Sequence, residues 1–343
     1  MPIQTVLGPI EADTLGVTSM HEHVFVDATV WLTPPREPYP DDPMVTMENL
    51  GFVRWNLLSL RDNLIIDDPE IAVTELNRFA AMGGTGLVDL TSEGFGRRVE
   101  QLVEISERTG LHIMAGTGYY VHDAHPAFVD TSTVDELAHG LIRELTIGVG
   151  ETGIKSALIG EIGTGSPITS REIKVLHAAG IAAQHTGAAV NVHLDARGEH
   201  ALDILSLLTE HGVAPDRVIF SHMDERLDLG YHRSVLQAGA VVEYDTFGEE
   251  FYLGIFKAPS DLERFEHLAA LVNEGWASSL LIACDVWTKA QLRHYGGMGY
   301  EHLLRRVVPS LKSEYNFSEE VIQQLLVHNP RRLLDRPSTD SNK

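Results

Sequence analysis

Only one cysteine, Cys284, occurs in 343 residues, which excludes an internal disulfide framework and fits a reducing compartment. Basic residues are also scarce: 26 Lys and Arg against 49 Asp and Glu leave a formal net charge of −23. Nucleic acid and anionic membrane surfaces both reward clustered positive charge, so neither is expected as a partner. A small negatively charged substrate stays open, because it responds to the local field of a site more than to net charge. No apolar run reaches the roughly 18–20 residues that span a bilayer. The opening Met1-Pro2-Ile3-Gln4 lacks the basic and apolar regions of a secretory signal, so a cytoplasmic location is expected. Internal repeats and low-complexity tracts are missing too, apart from a polar tail over 337–343 that is expected to be disordered.

What is present is an alternation. Apolar, β-rich runs at Val17–Val26, Gly86–Thr91, His112–Tyr120, Ala157–Ile162, Ala189–Asp195, Val218–Met223, Ala240–Thr246 and Leu280–Val286 read as eight strands. Helical patterns separate them at Ile71–Met82, Arg97–Thr109, Thr169–His185, Glu199–His211 and Leu262–Glu274, mostly stopped by Gly83, Gly110, Gly187, Gly212 and Gly275. Thr169 with Glu172 three residues later is a capping box. Eight strands with helical crossovers predict one (β/α)8 barrel domain over 1–336, preceded by an N-terminal hairpin. A doubly wound open sheet is the alternative, weakened because no Gly-rich phosphate-binding turn follows the first strand. A proline-rich insertion over 31–68 follows that strand and would sit at the barrel mouth as a lid or a dimer contact.

The chemistry gathers at the strand ends. His21 and His23 stand two apart at the end of the first predicted strand, so their imidazoles share a face while Glu22 points away. Taken alone, such a pair reads as readily structural as functional. Glu161, His193, His222 and Asp285 then close the fourth, fifth, sixth and eighth strands, each after an apolar run. In a barrel these positions converge on the C-terminal face. Four imidazoles and two carboxylates buried together without a cation would be costly, so divalent metal is expected there.

With those residues stand Thr5-Val-Leu-Gly-Pro-Ile10, Leu15-Gly-Val-Thr-Ser-Met-His-Glu-His23, Gly116-Thr-Gly-Tyr-Tyr120, Gly296-Gly-Met-Gly-Tyr300 and His328-Asn-Pro-Arg-Arg-Leu-Leu334. Through them the chain resembles, almost end to end, the phosphotriesterase-related branch of the amidohydrolase superfamily. The resemblance implies two divalent ions, expected as zinc. His21, His23 and Asp285 would hold the more buried ion and His193 with His222 the more exposed one, bridged by a carboxylate and a hydroxide. Many members bridge with a carbamylated lysine at the end of the fourth strand. Here that place is Glu161, as in a glutamate-bridged branch like the phosphotriesterase homology proteins, so metal loading should not depend on bicarbonate. Asp285 would also carry the proton to the leaving group.

The expected reaction is therefore hydrolysis of a small molecule, with a carboxylic ester or lactone first. Amide cleavage of a small N-acyl compound is the alternative, and phosphotriester cleavage a slow side activity. Thr246 stands after Asp245 where lactone-hydrolysing relatives place an arginine, which counts against long-chain acyl lactones. A non-catalytic metal-binding barrel is disfavoured because all six ligand positions are filled. Tyr120, Arg197, His200 and Lys289 are the candidate substrate contacts, with Arg293 near the last. Trp31, Phe247, Tyr252 and Trp276 are candidate pocket walls. Cys284 is expected as an inert core thiol, and His122, His125, His232 and His294 as surface groups. A homodimer is the expected assembly.

Overall fold

A computed structural model describes residues 2–252 and 257–336, so the predicted disordered tail lies outside the described residues. Twelve strands are present among them, of which eight form one sheet. The first two, β1 (Ile3–Thr5) and β2 (Gly8–Ile10), pair as an antiparallel hairpin. The eight staves follow in chain order: β3 (Thr18–Glu22), β6 (Gly86–Asp89), β7 (His112–Thr117), β8 (Leu158–Gly163), β9 (Val190–His193), β10 (Val218–Ser221), β11 (Val241–Tyr244) and β12 (Leu280–Ile282). Each pairs in parallel with its neighbour. Between β3 and β6 lie two short strands, β4 (Val26–Asp27) and β5 (Ile65–Ile66), which pair antiparallel and anchor the 31–68 insertion to the barrel rim.

The helices form where apolar stripes and caps coincide. Helix Pro69–Ala81 begins with Asp68 accepting from the Glu70 and Ile71 amides and carries Pro at its first turn. Helix Ser170–Thr186 opens with the Thr169–Glu172 capping box and ends at Gly187, whose φ of 70° suits glycine. Thr133 and Glu136 build the same box ahead of Val134–Thr146, a helix whose signal the sequence carries equally plainly.

Two apolar layers result. Inside the barrel, Met20, Val88, Met114, Leu158, Ile219, Val241 and Leu281 fill the lower tiers, and Ile3 of the hairpin with Leu333 and Leu334 of the last helix pack against them from below. A larger layer lies between staves and helices and includes Cys284. Inward side chains above the filled tiers must therefore be the mouth. Register fixes their height: Gly163 lies opposite His193, and His193 opposite Ser221.

The ends of the staves close differently from their middles. Among the described residues no ladder joins β3 to β12. Instead the Asp285 amide donates to the His21 carbonyl (3.1 Å), and the Glu22 carboxylate accepts from the Cys284 (3.1 Å) and Val286 (2.9 Å) amides. The residue between the two histidines thus points away from the mouth, as the alternation requires, and seals the barrel seam. Among the described residues no helix is long and apolar enough to cross a membrane.

Candidate metal and hydrolase site

Seven of the eight staves are shorter than their predicted runs, β8 being shifted by one residue instead, and most of the difference falls at the mouth. His193 ends β9, His222 lies one residue past β10, and Asp285 three past β12. There the backbone leaves the ladder, with φ of 58° at His222 and 44° at Asp285. These left-handed turns swing both side chains inward.

All six side chains meet. The His23 Nε2 lies 3.1 Å and the His21 Nε2 3.6 Å from Asp285 Oδ1. One oxygen of Glu161 faces three imidazoles: His193 Nδ1 at 2.9 Å, His222 Nε2 at 3.0 Å and His21 Nε2 at 3.7 Å. Glu161 therefore stands between a His21/His23/Asp285 group and a Glu161/His193/His222 group, each with its donor atoms within 4.8 Å of one another.

The outer ring nitrogens show why those faces are aimed at a cation. The Thr91 hydroxyl donates to the Phe25 carbonyl, so at 2.9 Å from His23 Nδ1 it serves as acceptor. The Asp245 carboxylate, an acceptor when ionised, lies 2.8 Å from His21 Nδ1 and 3.1 Å from His222 Nδ1. Protons on all three Nδ1 atoms leave three Nε2 lone pairs facing Glu161 and Asp285, with nothing between to donate. The His21 Nε2 and Asp285 Oδ1 are accordingly buried without a hydrogen-bond partner among the described residues. Lone pairs and anionic oxygens gathered this closely repel unless positive charge enters. The same field acts on protons: burial opposes charge on His21, yet Asp285, Asp245 and Glu161 outweigh it and raise its pKa well above the usual value. The residues fit divalent cations. A third grouping, His21/His222/Asp245, uses the outward nitrogens and is the orienting layer of this cluster.

Asp245 was read from the sequence only as the neighbour of Thr246. Burial works against its charge, but His222 and His21 hold it below the ordinary carboxylate range. It also accepts from the His222 amide at 2.9 Å, fixing the turn that presents that ligand. Asp224 continues the scaffold by taking the Asp245 and Thr246 amides, and the fully buried Arg264 pairs with Asp224 at 3.0 Å.

A cavity of about 100 Å³ opens above the cluster. Its lining includes His23, Glu161, His193, His222 and Asp285, the apolar groups of Trp31, Leu58, Phe95 and Trp287, and the polar side chains of Tyr120, Arg197, Glu225 and Glu249. Tyr120 is thus at the mouth. Its hydroxyl lies 3.3 Å from His193 Nδ1, and its ring packs edge-on against Trp31. Burial, with the Glu161 and Asp285 charges, pushes its pKa well up, so it stays a donor.

Other expected contacts are placed elsewhere. Lys289 does not line the cavity: Asp62 holds its ammonium at 2.6 Å, which ties the insertion to the segment after β12. His200 is turned to Ser166 (3.3 Å), and Arg293 pairs with Glu301. Of the four candidate aromatic walls only Trp31 reaches the cavity; Phe247 stacks on Phe265 in the core and Tyr252 on Trp55. His232, expected at the surface, is fully buried between the Tyr244 hydroxyl (2.8 Å) and the Arg226 carbonyl (2.9 Å). Glu225, Glu249, Leu58, Phe95 and Trp287 were missed. They lie on loops beyond the staves, where no periodicity marks a side chain's direction.

Comparison with known proteins agrees with this geometry. A profile of the phosphotriesterase family matches residues 1–334. Among curated relatives, N-acetyltaurine hydrolases of Dictyostelium discoideum and Rattus norvegicus are 31% and 36% identical, each alignment covering 97% of both chains. A resiniferatoxin-binding protein from Rhodobacter sphaeroides superposes with a TM-score of 0.94 at 33% identity, covering 97% of this chain and 95% of that one. The lactonase Lmo2620 from Listeria monocytogenes gives 0.83 at 26%, covering 98% and 100%. Matched from its first residue to the end of its last helix, this hydrolase barrel belongs to the phosphotriesterase family.

Proposed function

We propose that the chain hydrolyses the amide bond of a small N-acyl compound at a centre of two divalent cations. This places the amide ahead of the ester and lactone that the sequence alone favours. The observation that carries it is the Glu225 carboxylate. It lines the cavity beside His222, and no hydrogen bond reaches it among the described residues. Burial, with the Glu249, Asp224 and Asp245 charges, pushes its pKa well up, so a neighbouring positive charge, a cation or the departing ammonium, is what would hold it ionised. A second carboxylate, Glu249, lines the same space and accepts only from the Trp287 indole (3.1 Å) and, weakly, from Gln291 (3.5 Å). An ester or lactone offers such acceptors no proton. An amide offers its N–H, and the departing amine becomes an ammonium. The relatives described as N-acetyltaurine hydrolases cleave the same kind of bond.

His21, His23 and Asp285 would hold one ion and His193 with His222 the other, Glu161 lying between them. Cations held there supply Lewis-acid polarisation of the acyl carbonyl and lower the pKa of water. The chain's own groups do the rest. The Tyr120 hydroxyl is poised to donate to the acyl oxygen as negative charge grows on it. Asp285, with Oδ1 turned to His23 and its other oxygen toward His222, takes the proton from attacking water and returns it to the nitrogen of the breaking bond. Glu225 accepts the N–H and faces the positive charge that forms there. Trp31, Leu58, Phe95 and Trp287 keep bulk water out and leave room for a short acyl group.

The second reading, an ester or lactone, is favoured by the likeness to the Listeria lactonase and by the easier departure of an alkoxide. Matched N-acetyl and O-acetyl substrates separate the two, measured on wild type and on Glu225→Gln. Loss of kcat/KM confined to the amide supports the proposal. An equal loss on both bonds, or turnover of the ester alone, contradicts it.

A further inference from the structure

Five carboxylates line the cavity: Glu161, Asp195, Glu225, Glu249 and Asp285. Among the lining residues one permanently cationic side chain opposes them, Arg197, on the loop that follows β9. Its guanidinium is not loose. The Asp195 carboxylate grips one edge through Nε (2.8 Å to Oδ1) and Nη2, and the same oxygen accepts the Arg197 amide at 2.9 Å. This local clasp fixes both the arginine's backbone and the plane of its head. The other edge, with Nη1, meets no partner among the described residues, and about half of the side chain is exposed at the mouth (52%).

A guanidinium with one edge bound and one edge free is a pre-organised fork for a second oxyanion. Little side-chain entropy remains to be lost when an anion arrives. Elsewhere the cavity offers an anionic group only carboxylates and apolar walls, apart from the floor, where the proposed cations would take the acyl oxygen. The charges thus impose a direction: scissile bond inward beneath Glu225, anion outward on Arg197.

We infer that Arg197, held by Asp195, is a specificity-determining residue that docks an anionic group, a sulfonate or a carboxylate, on the amine half of the substrate. The inference rests on the proposed amide hydrolysis for its wording, since it names which half bears the charge. The docking itself is separable from the bond cleaved. The products are then a short carboxylic acid and a zwitterionic amino acid or aminosulfonate. Water adds to the acyl carbon, the C–N bond breaks, and the nitrogen leaves with its added proton.

The test compares three N-acetyl amines of matched length, ending in a sulfonate, a carboxylate or a methyl group, with the corresponding O-acetyl esters run in parallel. For wild type, kcat/KM on the anionic members should exceed that on the neutral one. In Arg197→Met the anionic-to-neutral ratio should fall by roughly 10–100-fold, the range for one charge-assisted contact, and Arg197→Lys should recover part of it. Sulfonate against carboxylate within the panel tells which anion the fork prefers. Propane-1-sulfonate supplies a readout without turnover: it should bind the wild type and bind Arg197→Met at least about tenfold more weakly by calorimetry. A ratio unmoved by Arg197→Met, with sulfonate binding unmoved, overturns the inference whichever bond is cleaved. A ratio that falls on the ester series alone keeps the anion site and refutes the amide reading.

Discussion

The floor and the wall of the barrel mouth are built by different means. On the floor, six cation-facing side chains arise from five staves, and their distances are set by a parallel sheet whose register allows little slip. Their outer nitrogens are pinned by Thr91 and Asp245, so the cluster is held twice over. The wall comes from loops: Trp31 and Leu58 from the insertion, Glu225 and Glu249 from beyond β10 and β11, Arg197 from beyond β9. A floor fixed by the sheet specifies the kind of reaction, while a wall of loops chooses which molecule undergoes it.

If that division holds, damage to the floor should cost rate and damage to the wall should change choice. The largest loss is expected for Asp285→Asn, which keeps a ligand oxygen but cannot carry a proton. Its kcat should fall by roughly 10²–10⁴-fold with metal content retained. Metal lost together with activity would make Asp285 a ligand and no more. Next comes Asp245→Asn. His21 and His222 meet different oxygens of Asp245, and asparagine replaces one of them with an amide NH2 that cannot accept, so metal affinity should drop about 10–100-fold, read by competition with a chromophoric chelator. Affinity equal to wild type would show that the imidazoles do not need this partner. On the wall, Leu58→Ala should raise the preference for propanoyl over acetyl substrates by about tenfold, the worth of one methylene in an apolar pocket, with kcat for acetyl little changed. A fall in kcat with no change in preference would place Leu58 in the floor's business.

The smallest effect is away from both. Buried His232 has each ring nitrogen bonded as a neutral imidazole requires, and burial lowers its pKa to about 4. Its unfolded pKa is about 6.5, so as pH falls from there the unfolded chain takes a proton that the folded one refuses. The stability this contributes is complete above pH 6.5 and is lost between 6.5 and about 4, amounting to roughly 3 kcal/mol. Subtracting His232→Gln from wild type in denaturant titrations across that window should show this slope. A flat difference would mean the imidazole titrates normally in the fold.

The same division sets what could be read from the chain. Staves announce themselves by apolar runs, and a polar residue closing such a run, as in Val-Asn-Val-His193 or Leu-Ile-Ala-Cys-Asp285, has to lie at the mouth. The eight staves, the barrel and the six floor residues were therefore legible, although the runs extended past the ladder where His222 and Asp285 turn out of it. Asp245 carried the same signature at the end of β11, but no spacing shows that its carboxylate turns sideways to two imidazoles. Lys289 looked available because a lysine past the last stave is usually free, and its partner Asp62 is 227 residues away in sequence. His232 looked exposed because one histidine in a helix gives no sign of the tyrosine behind it. Loop residues such as Glu225 follow no period, so only the folded chain shows where they point.

The central claim is that the floor is a site for two cations. Metal analysis by mass spectrometry of protein exchanged into metal-free buffer after loading tests it most directly, with the wild type beside His193→Ala. The account predicts about two divalent ions per chain in the wild type and about one in the variant, whose His21, His23 and Asp285 remain intact. No retained metal in the wild type, or identical content in both proteins, would contradict it.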